Sequence, residues 1–429
     1  MDYLYLYAGV AGVFILLYRA RQRRIHQKSA NALAAAVQSG MLEPPSLHPV
    51  IDPARCIGSG SCATACPEEA IGLIDGKAVL NNPAACIGHG ACMAACPFDA
   101  IQLVFGSEKR GVDIPDLSPN FETNVPGIYI AGELGGMGLI RKAAEQGRQA
   151  VGRIKKATKG HAELDVLIVG CGPAGLSAGL SAKHHKLRYL ILEQEDSLGG
   201  SVYHYPRQKI AMTAPVELDI VGKVKFGEVQ KEALLEFWQG VVRKTGINIS
   251  FRERMESVTP HAHGFLVRTN RAEYITESVL LAMGRRGTPR KLDVPGEESS
   301  KVAYRLVDPA QYQGKAMLVV GGGDSALEAA IALAEQTQTH VTLSYRGDAF
   351  SRVKEKNRLL LAQAVRAGRL KVHMTSTVES IHDDSVLLQT QEGILNLPND
   401  GVIVCTGGVL PMPLLQKMGV SFSTKFGHA

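Results

Sequence analysis

The chain has 429 residues, of which 45% are hydrophobic and 21% are charged, so it is too apolar for a disordered tail and too long for one ordinary domain. Glycine accounts for 45 residues, above the usual share of roughly 7% and without the period of three that marks collagen. The net charge of +6 leaves a nucleic acid or a membrane open as partners until the charge is located. Eight cysteines are too few for a disulfide scaffold of this length, so their spacing must show their role.

An apolar and aromatic run covers residues 3–18, and five basic residues follow it with no acidic residue among them: Arg19, Arg21, Arg23, Arg24 and Lys28. As a helix the run would be roughly 24 Å long, slightly under a hydrocarbon core of about 30 Å. The charges follow the run, whereas a secretory signal carries them in front. The sequence therefore predicts a single-pass protein of the inner (cytoplasmic) membrane, anchored through residues 3–18 with the bulk of the chain in the cytoplasm. A helix buried in a soluble body is the alternative.

The five basic residues also locate the charge of the protein. They supply five of the six net positive charges, so the remainder of the chain is nearly neutral. A nucleic-acid partner is therefore not expected. The Ala-rich stretch that follows predicts a basic helical stalk, which ends before Glu43 and the two prolines after it.

Six of the cysteines fall in two copies of one pattern, with every member of the second copy thirty residues after its counterpart: Cys56, Cys62 and Cys66, then Cys86, Cys92 and Cys96. A proline follows the third cysteine of each copy, so the unit is a duplicated module. The module, residues 50–105, resembles the bacterial two-cluster ferredoxins, whose run is C-x2-C-x2-C-x3-C-P. That resemblance implies a small α+β domain with two iron-sulfur clusters.

The same resemblance implies crossed ligation, in which the last cysteine of each run serves the other cluster. One cluster would take Cys56, Cys62 and Cys96, and the other Cys86, Cys92 and Cys66. Ser59 and His89 stand where the family has the second cysteine of each run. Each cluster would thus be a 3Fe-4S cluster, or a 4Fe-4S cluster whose last iron takes Ser59, His89 or solvent. A zinc site, or a module that has lost its clusters, is the alternative.

A first dinucleotide-binding pattern begins at Leu164. An apolar strand leads into Gly170, Gly172 and Gly175, an Ala-rich helix follows, and a second strand ends in Glu193. The glycines permit a tight turn and close approach of a pyrophosphate to the helix N-terminus, and the acid accepts from a ribose hydroxyl. A strand, turn, helix, strand and acid in this order predict a Rossmann-like fold.

A second copy begins at Met317, with Gly321, Gly323 and Ala326 in the fingerprint positions. Its second strand ends in Arg346 and carries no acid, and Arg352 lies close in sequence. Arginine suits a 2′-phosphate better than a free 2′-hydroxyl. The pattern therefore favours NADPH over NADH, with solvent-facing arginines as the alternative.

Two such folds in tandem resemble the two-domain flavoproteins of the thioredoxin-reductase-like and ferredoxin-NADP-reductase-like branches, in which the first fold holds FAD and the second NAD(P)H. In that family a Thr-x-x-Pro-Gly-Ile-Tyr-x-Ala-Gly-Asp segment near the carboxyl end closes the flavin site. Here the corresponding segment, residues 123–133, precedes the first fold and includes Gly132 and, in place of the aspartate, Glu133. The resemblance implies a circularly permuted flavoprotein fused to a ferredoxin.

The fold class expected is therefore α/β, with two Rossmann-like domains, a small α+β ferredoxin domain and an N-terminal transmembrane helix. The expected division is an anchor at 1–20, a stalk at 21–49, a ferredoxin domain at 50–105, a displaced FAD-domain segment at 106–160, an FAD-binding domain at 161–290, an NAD(P)-binding domain at 291–408 and a return into the FAD domain at 409–429.

The combined pieces predict an FAD-dependent NAD(P)H oxidoreductase that moves electrons between NAD(P)H, flavin and two iron-sulfur clusters. The chemistry belongs to the cofactors, so no catalytic side chain is expected. The redox partner is left open, and a homodimer is one option for the oligomeric state. A disulfide or small-molecule thiol reductase without a Cys-x-x-Cys motif, or an iron-sulfur redox sensor that turns over nothing, is the alternative.

Overall fold

The structure is a computed structural model, and it describes residues 2–38, 44, 47–86, 88, 90–106, 111–136, 138–205, 210–213, 215–285, 288–350, 353–409 and 411–427. The chain forms two units. The first comprises Met1–Val112, Ala349–Leu359 and Thr424–Ala429, and the second comprises Asp113–Asp348 and Leu360–Ser423.

The first unit holds a long helix and the cysteine-rich module. Its elements are α1 (Asp2–Gln38), β1 (His48–Ile51), α2 (Ser61–Ala65), β2 (Ile71–Ile74), β3 (Lys77–Leu80), α3 (Ala91–Ala94) and β4 (Ile101–Val104). β1 pairs antiparallel with β4, and β2 pairs antiparallel with β3. The duplication is visible in the backbone, because Gly60 and Gly90 precede α2 and α3 with the same left-handed φ of +77°. Both copies of the sequence pattern therefore fold alike.

The N-terminal helix does not carry the predicted membrane anchor. Within the ranges described, the chain has no helix of sufficient length and apolar character to cross a membrane. The predictions of an inner-membrane location and of a transmembrane helix are therefore wrong. Part of the reason lies in the run itself, which spans roughly 24 Å as a helix, less than the hydrocarbon core, and includes the phenol hydroxyls of Tyr5, Tyr7 and Tyr18.

The second half of α1 packs against the cysteine-rich module. Ser29 is buried, and its hydroxyl donates to the Ile25 carbonyl at 2.9 Å and accepts from the Leu73 backbone N–H at 3.1 Å. His26 Nδ1 accepts from the Asp75 backbone N–H at 3.1 Å. The basic part of the helix is therefore fixed to the β2–β3 hairpin by polar contacts.

The second unit begins with the elements of the first dinucleotide fold. They are β5 (Val112–Pro115), β6 (Ile128–Ile130), α4 (Ile140–Ala157), β7 (Leu164–Val169), α5 (Pro173–His184), β8 (Tyr189–Glu193), β9 (Ile210–Met212), β10 (Val216–Leu218), β11 (Gly222–Val224), β12 (Glu228–Gln230), α6 (Lys231–Thr245), β13 (Ile249–Phe251), β14 (Met255–His261), β15 (Gly264–Thr269) and β16 (Glu273–Leu281). The main sheet has the order β13-β8-β7-β16-β15-β14, and the first three neighbouring pairs are parallel. Parallel strands of this kind are buried on both faces, which explains why residues 166–169 of β7 are all apolar and buried.

The segment predicted to be displaced adds β6 to this sheet. β6 runs parallel to the carboxyl end of β16, with Ile128 opposite Val279 and Ile130 opposite Leu281. α4 follows and packs along α5, and its Ala150 and Ile154 are fully buried. The strand and helix that precede the first fold in sequence therefore complete it in space.

The second dinucleotide fold has a five-stranded parallel sheet of order β18-β25-β19-β20-β21. Its elements and those that follow are β17 (Thr288–Pro289), β18 (Val302–Ala303), β19 (Ala316–Val320), α7 (Asp324–Ala334), β20 (His340–Ser344), α8 (Glu355–Arg366), β21 (Leu370–His373), β22 (Thr377–Ile381), β23 (Ser385–Thr390), β24 (Gly393–Pro398), β25 (Gly401–Val404), β26 (Gly408–Val409), α9 (Met412–Lys417) and β27 (Phe422–Lys425). After this fold the chain returns to the first one, since Leu415 and Val420 share a buried core with Ile128 and Ile130.

Candidate cluster and dinucleotide sites

The six cysteines of the repeat form two groups of three, and each group mixes the two copies. Burial raises the pKa of Cys62, and the nearby Cys56 and Cys96 raise it further. Burial likewise raises the pKa of Cys92 to about 11, with added contributions from Cys86 and Cys66.

Each group therefore holds two cysteines of one copy and the last cysteine of the other, as crossed ligation requires. Protonated thiols must lose their protons to bind iron, so cluster assembly in this module releases protons.

The first group lines a cavity that suits a cluster. Cys56, Cys62 and Cys96 line one cavity, and Ser59 forms part of the same wall. In the part of the chain that the structure describes, no three His, Cys, Asp or Glu side chains could hold a metal ion. The ligands of a single zinc ion converge to about 2.3 Å from one point, whereas a cluster distributes its cysteines over separate irons. These thiols therefore fit an iron-sulfur cluster better than the zinc site considered above.

Backbone donors point at three of the sulfurs. The amides of Ala70, Ala78 and Ala100 each donate to a cysteine Sγ at 3.4 Å, and the acceptors are Cys66, Cys56 and Cys96 respectively. Hydrogen bonds to cluster sulfurs stabilise the more negative, reduced state and so raise the reduction potential. The repeat thus supplies both the ligands and part of their electrostatic tuning.

The structure describes Ser59, one of the two residues that replace a cysteine of the family pattern. Ser59 is exposed, and its hydroxyl lies 3.3 Å from that of Ser61. His89 lies outside the described residues. Ligation by either residue stays a prediction.

The first glycine turn leaves room where a phosphate would bind and none elsewhere. A Cβ on Gly170 would lie 2.6 Å from the Ala282 carbonyl oxygen, and a Cβ on Gly175 would overlap the Gly170 carbonyl oxygen. A Cβ on Gly172, by contrast, would have the Gly200 Cα as its nearest neighbour, at 3.8 Å. The turn is closed by its own backbone and by that of Ala282, and it is open at the helix N-terminus, which fits a dinucleotide pyrophosphate.

Glu193 closes the same site from the end of β8. Its side chain is buried, and its carboxylate accepts from the backbone N–H of Cys171 at 2.8 Å and of Glu195 at 3.0 Å. Burial raises its pKa, and these donors oppose the rise. The two donors fix the carboxylate beside the turn, where its remaining lone pairs can accept from a ribose hydroxyl.

The displaced segment reaches this turn through the packing of α4 on α5. A Cβ on Gly147 of α4 would overlap the Ala174 carbonyl oxygen in the first turn of α5, so the two helices touch backbone to backbone. Gly132 donates its N–H to Gln146 Oε1 at 2.8 Å. Glu133 Oε2 would lie 3.8 Å from a Cβ on Gly284, just after β16. Gly132 and Glu133 thus lie at the carboxyl edge of the sheet, directly after β6.

The second glycine turn has the same construction. A Cβ on Gly321 would overlap the Cys405 carbonyl oxygen, whereas a Cβ on Gly323 would have no heavy atom within 4 Å. Ala326 is fully buried and faces Gly321, so alanine satisfies the third fingerprint position. This turn also fits a nucleotide phosphate.

The end of β20 adds an aromatic ring that the sequence pattern does not identify. The Tyr345 ring lies directly against Gly322, where a Cβ would overlap it. Arg346 follows and is exposed, and Arg352 lies outside the described residues. Of the two predicted arginines, the structure therefore describes only Arg346, which directly follows the tyrosine that packs on the turn.

The two remaining cysteines are poor nucleophiles. Cys171 is fully buried in the first turn, and burial raises its pKa well above the usual range. Burial raises the pKa of Cys405 to about 12. Neither thiol is a thiolate near neutral pH, which argues against a cysteine-based exchange reaction at these positions.

Comparison with known families agrees with both parts of this geometry. The family described as "Pyridine nucleotide-disulphide oxidoreductase" matches residues 167–427, and a "4Fe-4S dicluster domain" matches residues 48–97. The chain is therefore a flavin-dependent pyridine nucleotide oxidoreductase with a 4Fe-4S dicluster ferredoxin domain. Since the first match spans more than half of the chain, the protein belongs to the pyridine nucleotide-disulphide oxidoreductase family.

Individual relatives include reductases of two kinds. The chain is 28% identical over 269 residues to the bacilliredoxin reductase Bdr of Bacillus subtilis, covering 61% of this chain and 82% of that protein. It is 31% identical over 270 residues to a ferredoxin–NADP reductase of Thermus thermophilus, covering 60% and 77%. The solved bacillithiol disulfide reductase Bdr (YpdA) from Bacillus cereus is 27% identical, with a TM-score of 0.53 over 60% of this chain and 81% of that structure.

Proposed function

We propose that this protein exchanges electrons between NAD(P)H and its own ferredoxin module by way of FAD, and from there with an external redox partner. The observation that supports this most directly is the cavity shared by Cys56, Cys62 and Cys96, in which the last cysteine of the second copy lies with two cysteines of the first. A module that had lost its clusters would have no reason to keep both groups of ligands. When bound, FAD supplies the conversion between the two-electron hydride of NAD(P)H and the single electrons that a cluster accepts.

Residues of both dinucleotide folds bind and orient the two nucleotide cofactors. Gly172 and Gly323 leave the space for the phosphates of FAD and of the pyridine nucleotide, and Glu193 orients the ribose of FAD. Glu133 accepts from the ribityl chain. The domain bounds predicted from the sequence follow the same division and stay a proposal.

Anaerobic reduction tests this function. Addition of NADPH to the purified holoprotein is expected to bleach the flavin absorbance and then the broad visible absorbance of the clusters. Dithionite added to a second sample shows that the clusters can be reduced at all. Clusters that react with dithionite and stay oxidised in the presence of NADPH and bleached flavin would contradict the proposal.

We also propose NADPH as the preferred nucleotide, because the exposed Arg346 directly follows Tyr345, which packs on the second turn, and β20 ends without an acid. Replacing Arg346 by alanine should lower kcat/KM for NADPH about 10- to 100-fold, the worth of a hydrogen bond to a charged group. The value for NADH should change less than twofold. Steady-state kinetics with both nucleotides measures this, and Arg243→Ala, an exposed arginine of α6, is the matched control.

A thiol or disulfide reductase is the second candidate. It is favoured by the similarity to a bacilliredoxin reductase and to a bacillithiol disulfide reductase. Cys171 is buried and Cys405 is partly buried, and burial raises the pKa of both thiols, so such a reaction would proceed without a thiolate at either position. NADPH oxidation driven by bacillithiol disulfide, at a rate above that with a ferredoxin or an artificial one-electron acceptor, would favour this candidate over electron transfer through the clusters.

A further inference from the structure

The two dinucleotide folds have equivalent positions at the end of their second strands, because the same backbone hydrogen bond closes both turns. The first glycine of each turn donates its N–H to a carbonyl of the second strand, that of Leu192 at 2.8 Å in the first fold and that of Ser344 at 3.0 Å in the second. In both folds this acceptor pairs with the last residue of the first strand. The next residue along the chain is Glu193 in the first fold and Tyr345 in the second. Tyr345 therefore occupies the position of Glu193.

The two equivalent side chains contact their turns in different ways. The Glu193 carboxylate accepts at 2.8 Å from the N–H of Cys171, the middle residue of the first turn. Tyr345 places its ring against Gly322, the middle residue of the second turn, where a Cβ would overlap the ring. A carboxylate at this position accepts from a free ribose 2′-hydroxyl. In the second fold an aromatic ring takes the place of that acceptor.

Two glycines provide the space for the Tyr345 ring. One edge of the ring lies against Gly322, and a Cβ on Gly347 would lie 2.7 Å from Cε1 at the other edge. Neither glycine has a positive φ, so the ring and not the backbone conformation requires a residue without a side chain. The Tyr345 backbone is also fixed, because its N–H donates to the His373 carbonyl at 2.9 Å and its carbonyl accepts from the Ser376 N–H at 3.0 Å. The ring is therefore a fixed part of the second turn.

We propose that Tyr345 is a specificity-determining residue of the pyridine nucleotide site, which selects against a nucleotide with a free 2′-hydroxyl. The inference rests on the proposed use of NADPH and adds a cause other than the charge of Arg346. The ring carbons offer no acceptor to a 2′-hydroxyl, and they carry no charge that would repel a 2′-phosphate, as a carboxylate would. NADH thus loses a partner at Tyr345, while the exposed Arg346 attracts the phosphate of NADPH.

Isothermal titration calorimetry with NADP+ and NAD+ measures this specificity in the oxidised, FAD-loaded protein. No electron is transferred in this experiment, so a failure of NADPH to reduce the clusters would leave its result intact. Tyr345→Glu restores the acceptor that Glu193 provides in the first fold. It should tighten NAD+ binding about tenfold and weaken NADP+ binding at least tenfold, the effect of one hydrogen bond to a charged group and of one repulsive charge.

Two further variants separate the acceptor from the charge and from the ring. Tyr345→Gln supplies an acceptor without a charge, so NAD+ should bind about two- to fivefold more tightly while the affinity for NADP+ changes less than twofold. Tyr345→Phe keeps the ring and is the matched control, and both affinities should stay within about twofold of the wild type. FAD content and melting temperature show which variants fold, and the Gln and Phe variants decide the question if Tyr345→Glu does not.

Three results would overturn the inference. The first is wild-type protein that binds NAD+ as tightly as NADP+. The second is a loss of affinity by the same factor for both nucleotides in the Glu and Gln variants, since Tyr345 would then only support the fold of the turn. The third is a Tyr345→Phe protein with a changed ratio of the two affinities, which would assign the selection to the hydroxyl and not to the ring.

Discussion

Replacing Cys96 by alanine is expected to remove the same cluster as replacing Cys62, although the two residues belong to different copies of the repeat. Each variant should lose about half of the bound iron, since one of two clusters is lost. Cys92→Ala and Cys66→Ala should form a second pair and remove the other cluster. EPR of the dithionite-reduced proteins, together with iron analysis, measures which cluster remains.

A cysteine outside both groups serves as the control for this series. Cys405→Ala should retain all iron, because Cys405 lies in the second dinucleotide fold. If Cys96→Ala gave the spectrum of Cys92→Ala and not that of Cys62→Ala, each copy of the repeat would bind its own cluster. The crossed arrangement would then be wrong.

Replacing Gly147 by alanine is expected to separate α4 from α5 and so to weaken FAD binding. A Cβ at this position would overlap the Ala174 carbonyl oxygen, which is backbone and cannot rotate away. Overpacking of this kind typically costs 1–3 kcal/mol, and here it also moves the helix that supports Gly132 and Glu133. The FAD content of the purified protein should fall and the melting temperature should decrease.

Gly152 on the same helix is the control for Gly147. A Cβ there would meet no heavy atom within 4 Å, so Gly152→Ala should bind FAD normally and be stabilised by roughly 0.5–1 kcal/mol through helix propensity. Equal FAD content in the two variants would contradict the view that the displaced segment completes the flavin site by packing on α5.

Much of the fold could be predicted because its signals are local and repeated. The thirty-residue repeat of the cysteines predicts one duplicated module, and the strand-turn-helix patterns around Gly170 and Gly321 predict both dinucleotide folds. The displaced segment was also visible, because residues 123–133 keep nearly the whole family motif at an unusual place in the chain.

The features that the sequence did not reveal depend on long-range contacts. Hydropathy alone suggested an anchor at residues 3–18, and it carries no information on the contacts of Ser29 with the β2–β3 hairpin. Gln146 supports Gly132 through one side-chain hydrogen bond, and Tyr345 packs on Gly322. No residue spacing in the sequence predicts either contact, because each depends on how two elements pack against each other.

The most direct test of the central claim is EPR of the anaerobic protein frozen after reaction with NADPH. The protein has a place for FAD, a place for a pyridine nucleotide and two groups of cluster ligands in one chain, so NADPH should generate the EPR signal of reduced clusters within the time of turnover. The Cys62→Ala protein should lose one component of that signal and Cys92→Ala the other. Full flavin reduction by NADPH with no cluster signal, in protein whose clusters dithionite reduces, would contradict electron transfer through the ferredoxin module.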